Sequence, residues 1–291
     1  MKVLILYNEG MRAYCIEYVK SLCVHPDIVA KQINDKTILP TLTCRVLLVN
    51  WLHMAEFERM LELNMAYHGV SCEELDLGMI NLEQLSRPSM LSQYFTTFSR
   101  IRESYPRLQL YDYIQGNIAV LKSLNISAKL LEYQYRHDEV EKLKRFCTAG
   151  PKETDVVMVG CMSSDHRMNI FNALRAKGVN AKLINNLWED DRDREIAKAK
   201  ILLNIHYIPE YQFFESLRCA RWIFANKLVI TETSGHSENY YLNKYMMIEP
   251  YDKIVEKVVE TLAFYNENAT NYDIIDSDNA REKLYLALGL L

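Results

Sequence analysis

The chain has 291 residues, 49% of them hydrophobic, and a formal net charge of −4. That length allows one large or two modest domains with an ordinary globular core. The acidic balance excludes the concentrated basic face that binds a phosphate backbone, and no stretch approaches the ~18–20 apolar residues of a membrane span. The expectations are therefore no nucleic-acid partner and no transmembrane segment.

Short apolar runs alternate with amphipathic segments. Val3–Tyr7 reads as a strand bounded by Asn-Glu-Gly, with a helix over 11–23. Arg45–Trp51 is a second strand and 54–63 a helix, whereas 64–90 fits neither period cleanly. Ser89–Glu103 reads as a helix ended by Pro106, because the residue before a proline avoids the helical region. Leu108–Tyr111 is a short strand, 114–124 a helix, Ala128–Tyr133 a strand and 137–146 a helix. Residues 147–155, polar and carrying Gly150-Pro151, read as a linker.

The second half is more regular: strand Asp155–Cys161, helix 167–177 closed by Gly178, strand Ala181–Asn185, helix 190–199, strand Ile201–Tyr207, helix 211–225, strand Leu228–Thr231, short strand Tyr245–Ile248 and helix 251–266. Strands and helices in this rhythm imply βαβ units and parallel sheets. The fold class expected is α/β, with two Rossmann-like doubly wound lobes facing a central cleft. The domains expected are 1–148, 149–266, and a tail over 267–291 packing back on the first lobe.

Seven cysteines (Cys15, Cys23, Cys44, Cys72, Cys147, Cys161 and Cys219) form no CxxC pair, and several stand in apolar runs. An odd set of this kind reads as reduced thiols and a cytoplasmic protein. The first apolar run ends at Asn8, too early for a signal-peptide core. The seven histidines make no HxH or HxxxH grouping. Asp191-Arg-Asp193 is formally DxD, but it opens a helix, where acids favour the helix dipole. Asp276-Ser-Asp278 reads likewise as part of a polar tail. No metal or other cofactor is expected.

In open parallel sheets, ligands gather at the carboxyl ends of strands. The segments placed there are Asn204 and His206; Glu215, Arg218 and Arg221; and Glu232-Thr233-Ser234-Gly235. An arginine, a carboxylate and a Ser/Thr/Gly turn at successive strand ends can hold a nucleoside diphosphate: guanidinium neutralises phosphate, carboxylate grips hydroxyls and turn amides face anions. On spacing alone, Glu215 and Arg218 fit a surface i,i+3 ion pair equally well, and His206 a satisfied histidine under the sheet.

The block 155–234 resembles the donor-binding half of GT-B glycosyltransferases, nearest to small bacterial and large-DNA-virus enzymes with a CgeB-like C-terminal domain. The resemblance rests on Gly160 with Ser163, Ser164 and Arg167; Asn204 and His206; Glu215, Arg218 and Arg221; and Glu232, Thr233 and Ser234. The segments 111–117 and 130–135 resemble the end of the first lobe in those proteins, so the likeness covers about 107–262. It implies a sugar transferred from a UDP- or GDP-sugar to a glycan or other hydroxyl acceptor, without metal. Gly160, Ser163, Arg167, Asn204, His206, Glu215, Arg218, Arg221, Glu232, Thr233 and Ser234 would bind the donor. Many retaining members carry two glutamates eight positions apart; after Glu215 that pair is absent.

For the acceptor proton, Glu9 after the first strand is the first candidate and Asp112 the second, with Glu132 a third cleft carboxylate. Two other readings stay open. One is a non-catalytic nucleotide- or glycan-binding module. The other is a different Rossmann-like enzyme such as a methyltransferase or dehydrogenase, against which the lone Gly10 after the first strand counts, since GxGxxG is missing. A DNA glucosyltransferase fits poorly with an acidic chain.

Overall fold

The computed structural model describes residues 2–161, 163–236, 240–265 and 277–290, with the side chains of 277–279 left out. In chain order it contains β1 (Val3–Asn8), α1 (Arg12–Leu22), β2 (Ile28–Ile33), β3 (Arg45–Val49), α2 (Met54–His68), β4 (Leu77–Asn81), α3 (Pro88–Ser104), β5 (Gln109–Asp112), α4 (Gln115–Ser123) and β6 (Ala128–Leu130). Then come α5 (His137–Thr148), β7 (Thr154–Val159), α6 (Asp165–Ala176), β8 (Ala181–Ile184), α7 (Glu189–Ala197), β9 (Ala199–Asn204), α8 (Ser216–Phe224), β10 (Leu228–Glu232), β11 (Met247–Glu249), α9 (Ile254–Ala263) and α10 (Ser277–Leu288).

The chain divides into two compact units, one of residues 1–134 with 278–291 and one of 135–277. The first holds a six-stranded sheet in the order β2-β1-β3-β4-β5-β6, the second a five-stranded sheet in the order β11-β10-β9-β7-β8. Every paired strand runs parallel. Numbered within its own unit, the first sheet follows the winding 2-1-3-4-5-6 and the second 2-1-3-4-5, so each has a topological switch point, between β1 and β3 in the first and between β7 and β9 in the second.

The apolar runs dictate this arrangement. β1 (Val-Leu-Ile-Leu-Tyr-Asn) is buried along its whole length, as a strand covered on both faces must be. In the second unit, Val156 and Met158 of β7 join Ile170, Leu174, Ile254 and Val258 in one layer under α6 and α9. Val157 points the other way, toward the side covered by α5, α7 and α8. Local signals set the ends. Gly69, at φ 65, closes α2, Pro88 opens α3, and Ser164 Oγ caps α6 by accepting from the Arg167 amide.

The structure departs from the sequence reading in several places. β2 and β4 were not foreseen. β2 is an edge strand whose middle is partly exposed and carries Lys31 and Gln32, which hides its apolar pattern. β4 contains Gly78, which weakens a strand reading but is required here: a Cβ would lie 2.4 Å from Leu47 Cδ2 and 2.6 Å from Tyr111 Cε2. The boundary falls after Gln134, not at 147–155. α5 belongs to the second unit because its buried face (Glu139, Val140, Leu143) packs on α7 and α8. α10 belongs to the first unit: the Leu288 carbonyl accepts from Arg45 Nη1 at 2.7 Å and Tyr285 lies edge-on to His25. Residues 267–276 of the expected tail, Asp276 among them, lie outside the described residues.

Candidate functional site

The second unit gathers its polar side chains where β7, β9 and β10 end. Gly160, one residue past β7, takes φ 121, a backbone conformation open mainly to glycine. The missing side chain makes room for two cations. A Cβ there would stand 2.8 Å from Arg167 Nη1 and 3.4 Å from Arg218 Nη2. Arg167, on the first turn of α6, is buried; its Nε donates to the Ile205 carbonyl at 3.0 Å and its Nη1 to the Cys161 carbonyl at 2.8 Å. Arg218, on α8, is half-buried and donates from Nη1 to Asn204 Oδ1 at 2.6 Å. Asn204 is held in turn by donating to Thr231 Oγ1 at 2.9 Å. Burial, and then the like charge of Arg218, pull the Arg167 pKa down to about 9. Two guanidinium groups set against one glycine at a switch point form a site that an anion would relieve.

A second group lies at the end of β10. The carboxylate of Glu232 accepts from the His206 amide at 3.0 Å and faces His166 Nε2 at 3.0 and 3.1 Å. The His166 ring stacks on Tyr251 at 4.0 Å between centroids, and the Tyr251 hydroxyl donates to the His166 carbonyl. His206 Nε2 is 3.1 Å from Ser234 Oγ, and burial lowers its pKa, favouring the neutral ring. Ser163 is exposed, 2.8 Å from the Tyr207 hydroxyl and 3.1 Å from Cys161 Sγ. Thr233 is exposed, its amide donating to the Glu249 carbonyl. Glu215 immediately precedes α8, and its charge acts on both Arg167 and His206.

The sequence candidates thus separate. Gly160, Ser163, Arg167, Asn204, His206, Glu215, Arg218, Glu232, Thr233 and Ser234 all lie at the carboxyl ends of β7, β9 and β10 or on segments bonded to them. Arg221 does not. It is buried between Asp193 of α7 and Glu139 of α5, with its Nε 3.2 Å from Glu139. Three residues advance a helix by only ~4.5 Å, but that takes Arg221 away from the strand ends and under α5. Asp193 is correspondingly neither half of a metal pair nor a dipole-facing acid; it is the fully buried partner of Arg221 and Arg192. His166, absent from the sequence candidates, stands two residues after Ser164. Nothing in the sequence tied it to Glu232, sixty-six residues away.

The first unit corrects two further candidates. Asp112 is completely buried: its Oδ2 accepts from Asn81 Nδ2 at 2.6 Å and Asn117 Nδ2 at 2.9 Å, and its Oδ1 from the Ile114 amide. A carboxylate walled off this way anchors loops and does not meet a substrate. Desolvation raises its pKa to about 7. Glu132 is also buried, and desolvation raises its pKa too. Glu9 is exposed on the short 3-10 turn Glu9–Met11, whose cap is Asn8. No grouping of three or more metal-ligating side chains occurs among the described residues, and no described helix is long and apolar enough to cross a membrane.

The fold is shared, over nearly the whole chain, with proteins of known structure. HepE of Anabaena, solved in complex with UDP and glucose, matches with a TM-score of 0.59 at 10% identity, covering 100% of this chain and 98% of its own. Sucrose-phosphate synthase from Thermosynechococcus elongatus matches at 0.54 and 10% identity, covering 100% and 97%. T4 phage BGT, in complex with UDP and Mn2+, matches at 0.51 and 10% identity, covering 98% and 99%. The fold is that of the GT-B glycosyltransferases.

No known family profile matches the chain. Similar sequences occur in Acanthamoeba polyphaga mimivirus. Uncharacterized protein L140 is 33% identical over 202 residues, 68% of this chain and 62% of its own length. Uncharacterized protein L137 is 36% identical over 173 residues, 58% of this chain and 23% of its own. The chain thus spans less than two thirds of either relative.

Proposed function

We propose that the chain is a glycosyltransferase of the CgeB-like kind that moves a sugar from a UDP- or GDP-sugar to a glycan or other hydroxyl acceptor without a metal. The observation that carries this reading is the convergence of Arg167 and Arg218 on the bare Gly160 at the second unit's switch point. The fold supports it, since proteins solved with UDP share it.

In this reading the second unit binds the donor. Arg167 and Arg218 face the diphosphate and stabilise the charge that builds on it as the glycosidic bond breaks. Arg167 needs little reorganisation, because two backbone carbonyls already hold it. Glu232, with His166 beside it, takes the ribose hydroxyls. Glu215 takes a hydroxyl of the sugar, and the Thr233-Ser234 turn lies beside it with its hydroxyls. The first unit takes the acceptor, in the cytoplasm.

A thermal-shift screen against UDP, GDP and their monophosphates tests donor binding, since a ligand of the native state raises its melting point. The expected result is a larger rise for a diphosphate than for its monophosphate. Release of UDP or GDP from the corresponding sugars, measured in EDTA and again with manganese, tests turnover. Release that survives EDTA is expected; release that needs manganese would remove the metal-free part of the reading.

A further inference from the structure

Arg167 and Arg218 have company at the switch point of the second unit. Among the described residues neither guanidinium is bonded to a carboxylate: Arg167 donates to two backbone carbonyls and Arg218 to the Asn204 side-chain oxygen. A buried cation without a bonded counter-ion is costly until an anion arrives, so the groups beside it bear on which anion fits. The ring of Tyr207, three residues past the end of β9, lies against Arg167, with 5.6 Å between its centroid and the guanidinium carbon. Tyr207 is half-buried and is absent from the sequence candidates.

The Tyr207 hydroxyl lies 2.8 Å from Ser163 Oγ, which lies 3.1 Å from Cys161 Sγ. While the thiol holds its proton, three groups with one proton each are joined by two contacts. Two contacts use at most two protons, so one O–H or S–H is left to donate outward. Ser163 is exposed and Tyr207 half-buried, which opens this donor to a ligand, whereas Arg167 is buried. A ligand oxygen that accepts from one hydroxyl aligns the chain, because each member then accepts from one neighbour and donates to the next. The surroundings also favour negative charge here. The Ser163 hydroxyl and amide, and after them the Tyr207 hydroxyl and the Arg167 charge, hold the Cys161 thiol below its ordinary pKa.

We propose that the Ser163–Tyr207 hydroxyl pair binds one phosphate of a nucleoside diphosphate while Arg167 and Arg218 bind the other, and that this pair makes the site prefer a diphosphate to a monophosphate. The proposal rests on the donor-binding reading of the second unit given above, and it uses residues of that unit alone. A monophosphate takes the guanidinium pair and leaves the hydroxyl pair unused. A diphosphate engages both. Tyr207 contributes in two separable ways: its ring covers the Arg167 cation, and its hydroxyl meets the ligand.

The test uses the full chain and calorimetry with UDP, UMP, GDP and GMP. It is read on whichever base the wild type binds. Tyr207→Phe keeps the ring over Arg167 and removes the hydroxyl. Its diphosphate affinity should fall about tenfold or more, the worth of a hydrogen bond to a charged group. Its monophosphate affinity should stay within about twofold of wild type, so the preference itself shrinks. Ser163→Ala should shrink the preference in the same direction. Tyr211→Phe, whose ring lies 6.3 Å from that of Tyr207, should leave both affinities within about twofold. All three variants should melt within about 2 °C of wild type, because each loses a single hydroxyl from a partly or fully exposed residue.

A diphosphate preference that survives in both Tyr207→Phe and Ser163→Ala would overturn the assignment and leave donor binding standing. Equal losses of diphosphate and monophosphate affinity in Tyr207→Phe would do the same, since the hydroxyl would then serve a group that the two ligands share. A wild type that binds neither UDP nor GDP would overturn the donor-binding reading and the assignment together.

Discussion

Replacing Arg221 by Met separates two roles that the sequence merged. Arg218 and Arg221 stand three apart on α8, yet Arg218 reaches Asn204 at the strand ends while Arg221 lies between two acids, Asp193 and Glu139. Arg221, Asp193 and Glu139 have side chains 2%, 1% and 6% exposed, so removing the cation takes the ion-pair partner from two buried carboxylates and leaves Asp193 with Arg192 alone. Breaking a buried pair by deleting one partner costs about 3–5 kcal/mol. The second unit of Arg221→Met should accordingly unfold at clearly lower urea, followed by Trp222 fluorescence. Changing all three residues to apolar ones of similar volume should recover most of the loss, as an uncharged core carries no desolvation penalty.

Arg218→Met should behave in the opposite way. Being half-exposed, it should cost no more than about 1–1.5 kcal/mol of stability, the scale of one hydrogen bond. UDP affinity should fall by roughly 10- to 100-fold, the worth of a hydrogen bond to a charged group. Unfolding at wild-type urea together with weakened UDP binding in Arg221→Met would refute this division of labour.

Two further outcomes follow from local geometry. Gly160→Ala must hold φ 121 and displace Arg167 Nη1, so it should destabilise the second unit by about 1–3 kcal/mol and weaken UDP binding, read by urea titration and calorimetry. Asp112 has a folded pKa near 7 against 3.8 for the free group, so the folded state holds its proton longer. Its contribution is complete below the free value and is lost as pH rises to about 7. The first unit should therefore lose about 3 kcal/mol between pH 5 and 8, roughly 1.4 kcal/mol for each pH unit up to 7. Asp112→Asn should flatten that slope, and an equal slope in the variant would assign the dependence to another group.

How far the sequence alone reached varies with the kind of signal. The apolar runs read as strands at Val3–Tyr7 and Ile201–Tyr207 announced the buried parallel strands Val3–Asn8 and Ala199–Asn204, and Gly178 after α6 marked a real helix end at φ 79. Ten of the donor-side candidates proved to be near one another, because the carboxyl end of a strand is readable from where its apolar run stops. β2 and β4 escaped because an edge strand tolerates Lys31, and because Gly78 answers to Leu47 and Tyr111, which are distant in sequence. Helix α8 starts at Ser216 and not near 211, because Phe213 is bridged to Gly235 and the Gly235 amide bonds the Gln212 carbonyl.

Periodicity and strand ends are local properties, so the sequence by itself determined the fold class, the alternation of strands and helices, and the set of residues near the strand-end turns of the second unit. Partnership is not local. Whether Arg221 meets a ligand or Asp193, and whether Asp112 is open or enclosed by Asn81 and Asn117, depend on side chains that the fold brings together. Only tertiary packing decided those questions, because burial fixes the cost of every charge, and burial is a property of the assembled core.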